Sequence, residues 1–183
     1  MKWLVGIIIL IIGAFTFSLL YSSDEDLSIG LGMNITSPAF KDKESIPTKY
    51  TCDGRDISPP LVFDKVPAAA RSLALIVDDP VVREGAFTHW IIWNISPMAI
   101  GIDEGAVPQG ATEGQNSFPR KGYGGPCPPR GEHNYFFRLF ALDSLLAVLP
   151  GASREELEAE MKGKVISTAT LIGRYERSFG VGQ

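Results

Sequence analysis

The sequence predicts a mainly β domain with a few short helices, preceded by one N-terminal hydrophobic helix. Three observations carry this expectation. Four apolar runs have the length and the β-branched or aromatic content of buried strands, and turn-forming residues flank them. Nineteen glycines and 13 prolines in 183 residues are too many for a helical bundle and demand many turns. The long uncharged stretch Trp3–Ser23 lies at the N-terminus.

That stretch is the first element. As a helix its 21 residues would reach about 32 Å, enough for a bilayer core of roughly 30 Å. Two readings are open: an uncleaved anchor, or a secretory signal that is removed. The run exceeds the usual signal core of about 7–15 residues and no Ala-x-Ala site follows it, which favours the anchor. Trp3 and Tyr21 sit near its ends, where interfacial aromatics are common. Lys2 precedes it, and Asp24, Glu25 and Asp26 follow it. The positive-inside rule then predicts a single-pass protein with the remainder outside the cytoplasm. Residues 24–32 read as a linker and 33–183 as the folded domain.

Within the domain, Ser72–Val77 is an apolar run stopped by Asp78-Asp79-Pro80, and His89–Ile95 a second, stopped by Ser96-Pro97. Asn134–Leu142 is a third, rich in aromatics, and Val165–Ile172 a weaker fourth. One helix is expected just after Ser153: Ser153 and Glu156 have capping-box spacing, and Leu157 and Met161 share a face. The long Gly/Pro-rich stretch 97–131 is of the kind that carries function in a compact domain.

Composition narrows the function. A formal charge of −4 argues against nucleic acid, which needs a basic face to displace counterions. Two cysteines and two histidines cannot build a four-thiolate zinc site or a three-His site; two His with one Asp could still hold iron or zinc, but no metal or cofactor is expected. Asn34-Ile35-Thr36 and Asn94-Ile95-Ser96 fit the glycan acceptor pattern. Asn94 ends an apolar strand, so Asn34 is the accessible one. Neither a nucleophile elbow nor a dinucleotide fingerprint occurs, and Gly122-Tyr123-Gly124-Gly125 lacks the Lys-Ser/Thr that would end a P-loop.

The polar residues that remain sit at strand ends. Asp78 and Asp79 close one strand, His89 opens the next, and His133 and Tyr135 open the third, just after Gly125-Pro126-Cys127-Pro128-Pro129. If the strands are neighbours, these groups gather at one rim beneath a rigid loop. The plainer reading stays open beside this one: a His at a strand end and an Asp before Pro are often local hydrogen-bonding residues.

At these residues the sequence resembles the phosphatidylethanolamine-binding protein family, also called the Raf-kinase-inhibitor family, in its bacterial and archaeal branch. The matching segments are Ser37–Phe40, Ile46–Gly54, Ser58–Leu61, Ser72–Pro80, His89-Trp90 with Asn94, Tyr123–Pro129 and His133–Phe137, with Ala141–Asp143 behind. The resemblance implies a central antiparallel sheet and a small anion pocket at one edge that accepts phosphate-like headgroups. It implies Asp79, His89, His133 and Tyr135 as pocket residues, with Pro126 at the mouth. Three positions depart from the family pattern: Val81 where a second Asp is usual, Asn134 where Arg is usual, and Lys164 where His is frequent. The stretch Val82–Gly85 also replaces the usual turn.

The expected function is therefore a membrane-tethered or secreted binding module for a small phosphate-bearing ligand or lipid headgroup. Two alternatives are a protein-interaction module that inhibits a protease or kinase, and an enzyme of unknown type using the Asp/His pocket. No catalytic residue is assigned. Outside the cytoplasm Cys52 and Cys127 can pair as a disulfide; two unpaired cysteines are the other reading.

Overall fold

A computed structural model describes residues 32–80 and 86–177. The expected hydrophobic helix, residues 24–31 of the expected linker, and Val81 with the stretch to Gly85 lie outside the described residues. Among the described residues no helix is long and apolar enough to cross a membrane.

The chain forms a six-stranded sheet, a three-stranded sheet and one α-helix among the described residues. The strands are β1 (Asn34–Thr36), β2 (Glu44–Ser45), β3 (Leu61–Asp64), β4 (Ser72–Asp79), β5 (Phe87–Ile95), β6 (Gly101–Ile102), β7 (Thr112–Glu113), β8 (His133–Leu142) and β9 (Val165–Tyr175). The helix α1 spans Arg154–Met161. The large sheet has the order β2-β9-β8-β4-β5-β7 and the small one β1-β3-β6. Pairing is antiparallel except at one edge, where β2 runs parallel to β9.

The four apolar runs form the four long strands, and each extends beyond its apolar stretch into polar residues. β4 takes in Asp78 and Asp79, and β8 starts at His133. The polar rim is thus strand, not loop. Helix α1 begins at the Ser153 capping box, with both reciprocal hydrogen bonds formed.

Alternation along the strands sorts side chains into two layers. Leu73, Leu75 and Val77 of β4 and Phe137, Leu139 and Ala141 of β8 pack toward the small sheet, meeting Ile35, Leu61, Phe63 and Ile102. Ala74, Ile76 and Leu142 face the opposite side and are covered by Leu146 and by Leu157 and Met161 of α1. By parity Asp79, His133 and Tyr135 fall on the first face and Asp78 on the second.

β5 breaks this alternation twice. Val77 pairs with Trp90 and Asp78 with Thr88, so His89 has no residue opposite it. Such a bulge turns two consecutive residues to one side. Between Leu73↔Ile95 and Leu75↔Ile92 a second extra residue is accommodated, with Asn94 at φ 56°. Asn94 carries this left-handed conformation, one that Asn tolerates better than most residues. Its amide donates to the Leu146 carbonyl at 3.0 Å and accepts from the Leu146 N–H at 2.9 Å. Asn34, the other glycan candidate, is exposed at the start of β1.

Candidate functional site

A cavity of about 340 Å³ opens at the ends of β4, β5 and β8, lined by Asp79, Phe87, His89, Phe118, Cys127, Pro128, Pro129, His133 and Tyr135. Four of the five expected pocket residues meet here. Pro126 does not: it is buried behind the loop and its carbonyl accepts from the Cys52 N–H at 3.1 Å. Pro128 and Pro129 hold the place expected for it. A loop has no period of two, so the sequence could not say which proline faces the cavity.

Asp79 and His133 approach diagonally across the β4–β8 pair, and the His133 Nδ1–H donates to Asp79 Oδ2 at 2.5 Å. The Asp79 carboxylate is 5% exposed and the imidazole 16%. The carboxylate fixes both the ring orientation and the nitrogen that carries its proton. Nε2 is then the nitrogen that His133 offers a ligand.

His89 is buried, and the bulge sets it on the cavity side beside Phe87. Its Nδ1 lies 2.6 Å from the Gly124 carbonyl. A carbonyl can only accept, so Nδ1 carries the proton. The loop answers in kind, since the Gly124 N–H donates to the His89 carbonyl at 2.9 Å. Burial pushes the His89 pKa down, opposed by the Gly124 carbonyl and then by Asp79. The ring is flanked by Phe87 at 5.1 Å, Phe118 at 5.6 Å and Tyr135 at 5.1 Å, centroid to centroid.

Tyr135 is 1% exposed, and its hydroxyl makes no hydrogen bond of good geometry. Burial first, and the Asp79 charge second, push its pKa well up, while the nearby Cys127 amide pulls weakly the other way. The phenol stays protonated and can donate to a ligand. Buried hydroxyls normally have a partner; this one lies at the cavity wall without a well-formed one.

The wall opposite the sheet is fixed by close contacts. A Cβ on Gly124 would lie 2.5 Å from the Phe118 ring, and one on Gly125 would lie 2.6 Å from the Tyr50 carbonyl oxygen. Only glycine permits these approaches. The Gly125 N–H donates to Asp56 Oδ1 at 2.6 Å, and the Tyr123 hydroxyl donates to the Tyr50 carbonyl at 2.8 Å. Cys127 is bonded to Cys52, which ties the loop to residues 50–56. Phe118 is positioned by buried Asn116, whose Oδ1 accepts from the Phe118 N–H at 2.9 Å.

Asp78, one residue from Asp79, is kept out of the cavity by strand alternation. It is buried and accepts from Arg138 Nε at 3.1 Å and Arg154 Nη1 at 2.9 Å. Asn134 is exposed on that same outer side. Lys164 pairs with Glu160 near the end of α1. Neither departure touches the cavity. Among the described residues no three of His, Cys, Asp and Glu gather to hold a metal.

Phe87 and Phe118 were absent from the sequence expectation, which had Pro128 and Pro129 only as part of the rigid loop over the rim. Phe87 had a signal, standing two residues before His89 in the same strand. Phe118 lies in the long loop, where nothing in the spacing marks it.

Comparison with known proteins agrees with this architecture. The profile of the phosphatidylethanolamine-binding protein family matches residues 36–176. The UPF0098 protein of Methanothermobacter thermautotrophicus is 50% identical over 150 residues, which cover 79% of this chain and 99% of that one. The UPF0098 protein of Pyrococcus abyssi is 49% identical over 150 residues, covering 77% and 84%. The crystal structure of a phosphatidylethanolamine-binding protein homologue from Chlamydia trachomatis superposes with a TM-score of 0.78 at 44% identity, over 81% of this chain and 100% of that one. That of Escherichia coli YbcL, described as a member of the mammalian family, gives 0.76 at 29% identity, over 80% and 99%. The profile match spans the stretch that builds the cavity, and the chain belongs to the phosphatidylethanolamine-binding protein family.

Proposed function

We propose that this chain is a binding protein whose cavity takes one small phosphate-like group, free or carried on a headgroup. One observation carries the reading: Tyr135 brings a buried hydroxyl without a well-formed partner to the same cavity as two imidazoles whose Nδ1 atoms are already engaged. With its imidazole protonated, His133 forms a neutral pair with Asp79 and can donate from Nε2. The Tyr135 hydroxyl adds a second donor. The lining residues include no aliphatic hydroxyl and no free thiol, since Cys127 is in a disulfide, so the set offers no serine- or cysteine-type nucleophile.

The same proposal puts the domain outside the cytoplasm, held by or released from its N-terminal segment. The Cys52–Cys127 bond supports this, because disulfides persist mainly in oxidising compartments.

The test is calorimetry with inorganic phosphate and phosphoethanolamine on the full chain and on His133→Ala. A charge-assisted hydrogen bond is worth roughly 1.5–3 kcal/mol, so the variant should bind at least about tenfold more weakly. Only the protonated imidazole donates from Nε2. Affinity should therefore be higher in acid than in alkaline buffer. Equal affinity in both proteins, or no binding by either, overturns the proposal.

A further inference from the structure

The charges and protons of the cavity discriminate among phosphate-like groups, and this inference rests on the binding reading above. Among the described residues no Lys or Arg lines the cavity, whose ionisable members are Asp79, His89, His133 and Tyr135. Even with His133 protonated, the Asp79–His133 pair has no net charge. Among the described residues a dianion would then meet a lining of Phe87, Phe118 and prolines that carries no net positive charge, which is costly. This described lining favours a single negative charge over two.

His89 sets a second condition. Its Nδ1–H is committed to the Gly124 carbonyl at 2.6 Å. The neutral ring therefore offers the cavity only the lone pair of Nε2. His89 is 3% exposed and its ring has three aromatic neighbours, and burial disfavours a second proton on it. An oxygen bearing only lone pairs would meet Nε2 acceptor to acceptor. A hydroxyl would meet it as donor to acceptor.

Among the described residues the charged and titratable groups facing the two imidazoles are few; Arg120 lies behind the Phe118 ring at 5.6 Å and is paired with Asp56. β4 supplies Asp79 and, through the sheet, Asp78; β8 supplies Tyr135, with Tyr175 of β9 beside it. The loop 123–129 reaches His89 only through the Gly124 and Gly125 backbone.

We propose that the cavity is specific for a monoanion that keeps one acidic hydroxyl: a phosphomonoester, a phosphonate or free phosphate. Its P–O–H donates to His89 Nε2, while its other oxygens accept from the Tyr135 hydroxyl and from His133 Nε2–H. A phosphodiester or a sulfate ester carries the same single charge without the proton, and His89 rejects both. The preferred headgroup is thus a monoester, not the diester of an intact phospholipid.

The experiment compares four probes by calorimetry on the full chain: phosphoethanolamine, glycerophosphoethanolamine, ethanolamine sulfate ester and inorganic phosphate. Three of them share one amine and differ in the proton on the anion. At about pH 5.5, below a monoester's second pKa of about 6, phosphoethanolamine and phosphate are mainly monoanions. Both should bind at least about tenfold tighter than the diester and the sulfate ester, the cost of one mismatched buried contact. Raising the pH to about 8 should weaken the monoester more than the diester, because it also strips the ligand's own proton. In His89→Gln the amide can rotate to present a donor or an acceptor, and the gap between monoester and diester should close to within about threefold. Equal affinity for all four probes overturns the proton-matching proposal and leaves the anion site standing. A gap that persists in His89→Gln overturns the assignment to His89. Binding of none of the four, phosphate included, overturns both this proposal and the binding reading beneath it.

Discussion

At the scale of single residues, Tyr135 separates stability from binding. Its ring is core, in T-shaped contact with His89 at 5.1 Å between centroids. Its hydroxyl is buried with no well-formed hydrogen bond, and an unsatisfied buried polar group costs free energy. Tyr135→Phe keeps the ring and removes a hydroxyl without a well-formed partner. The variant should be as stable as the parent or more so, by up to about 1 kcal/mol, which for a domain of this size is a rise in Tm of roughly 2–4 °C. Phosphate affinity should drop by about tenfold, because a donor to the anion is lost. Thermal unfolding without ligand and calorimetry with phosphate read the two effects. A less stable variant with unchanged affinity would make the hydroxyl structural. The same residue shows what the sequence could reveal: Tyr135 and His133 follow from alternation along an apolar strand. His89 does not, because its orientation depends on a bulge that no periodicity announces.

At the scale of elements, adjacent acidic residues have opposite tasks because β4 alternates. Asp79 serves the cavity. Asp78, 1% exposed, joins Arg138 of β8 and Arg154 at the start of α1, and so fastens the helix to the outer face of the sheet. The two arginines have other partners, Arg138 over the Phe136 ring at 4.5 Å and Arg154 with Glu158 at 2.7 Å. They also keep some solvent, with side chains 33% and 19% exposed. Breaking a fully buried ion pair costs about 3–5 kcal/mol. With this partial relief, Asp78→Asn should destabilise by roughly 2–3 kcal/mol and leave phosphate affinity within about twofold. Denaturant unfolding and calorimetry check the pair of outcomes, and a large loss of affinity at full stability would move Asp78 into the site. Three of the long strands were legible as strongly apolar runs, and β9 more weakly, because Ser167, Thr168 and Thr170 interrupt it. The small sheet was not: β1 has 3 residues, β3 has 4 and β6 has 2, too few for a period to register. Its strands form because Ile35, Leu61, Phe63 and Ile102 need cover over the open face of the large sheet.

At the scale of the whole molecule, one covalent link holds the loop that walls the cavity. The large sheet supplies Asp79, His89, His133 and Tyr135, while Pro128 and Pro129 come from a loop with no strand of its own. The Cys52–Cys127 bond, across 75 positions of sequence, ties that loop to the 50–56 segment. Closing a loop of that length lowers the entropy of the unfolded chain and contributes about 4 kcal/mol in the chain-entropy model. The native loop has further holds in the Cys52 N–H to Pro126 carbonyl bond and the Gly125 N–H to Asp56 bond, at 3.1 and 2.6 Å. Reduction should therefore lower global stability without unfolding the domain under native conditions, while loosening the wall that Cys127, Pro128 and Pro129 form. Unfolding in denaturant with and without reductant should differ by about 4 kcal/mol, and phosphate affinity should weaken in the reduced protein. The bond also reports on location. If the domain lies outside the cytoplasm, protein alkylated at once on lysis of its host and then denatured should show no free thiol at Cys52 or Cys127. Two alkylated thiols would mean that the domain matures in a reducing compartment, and the extracytoplasmic proposal would fall while the fold and the cavity stayed as described.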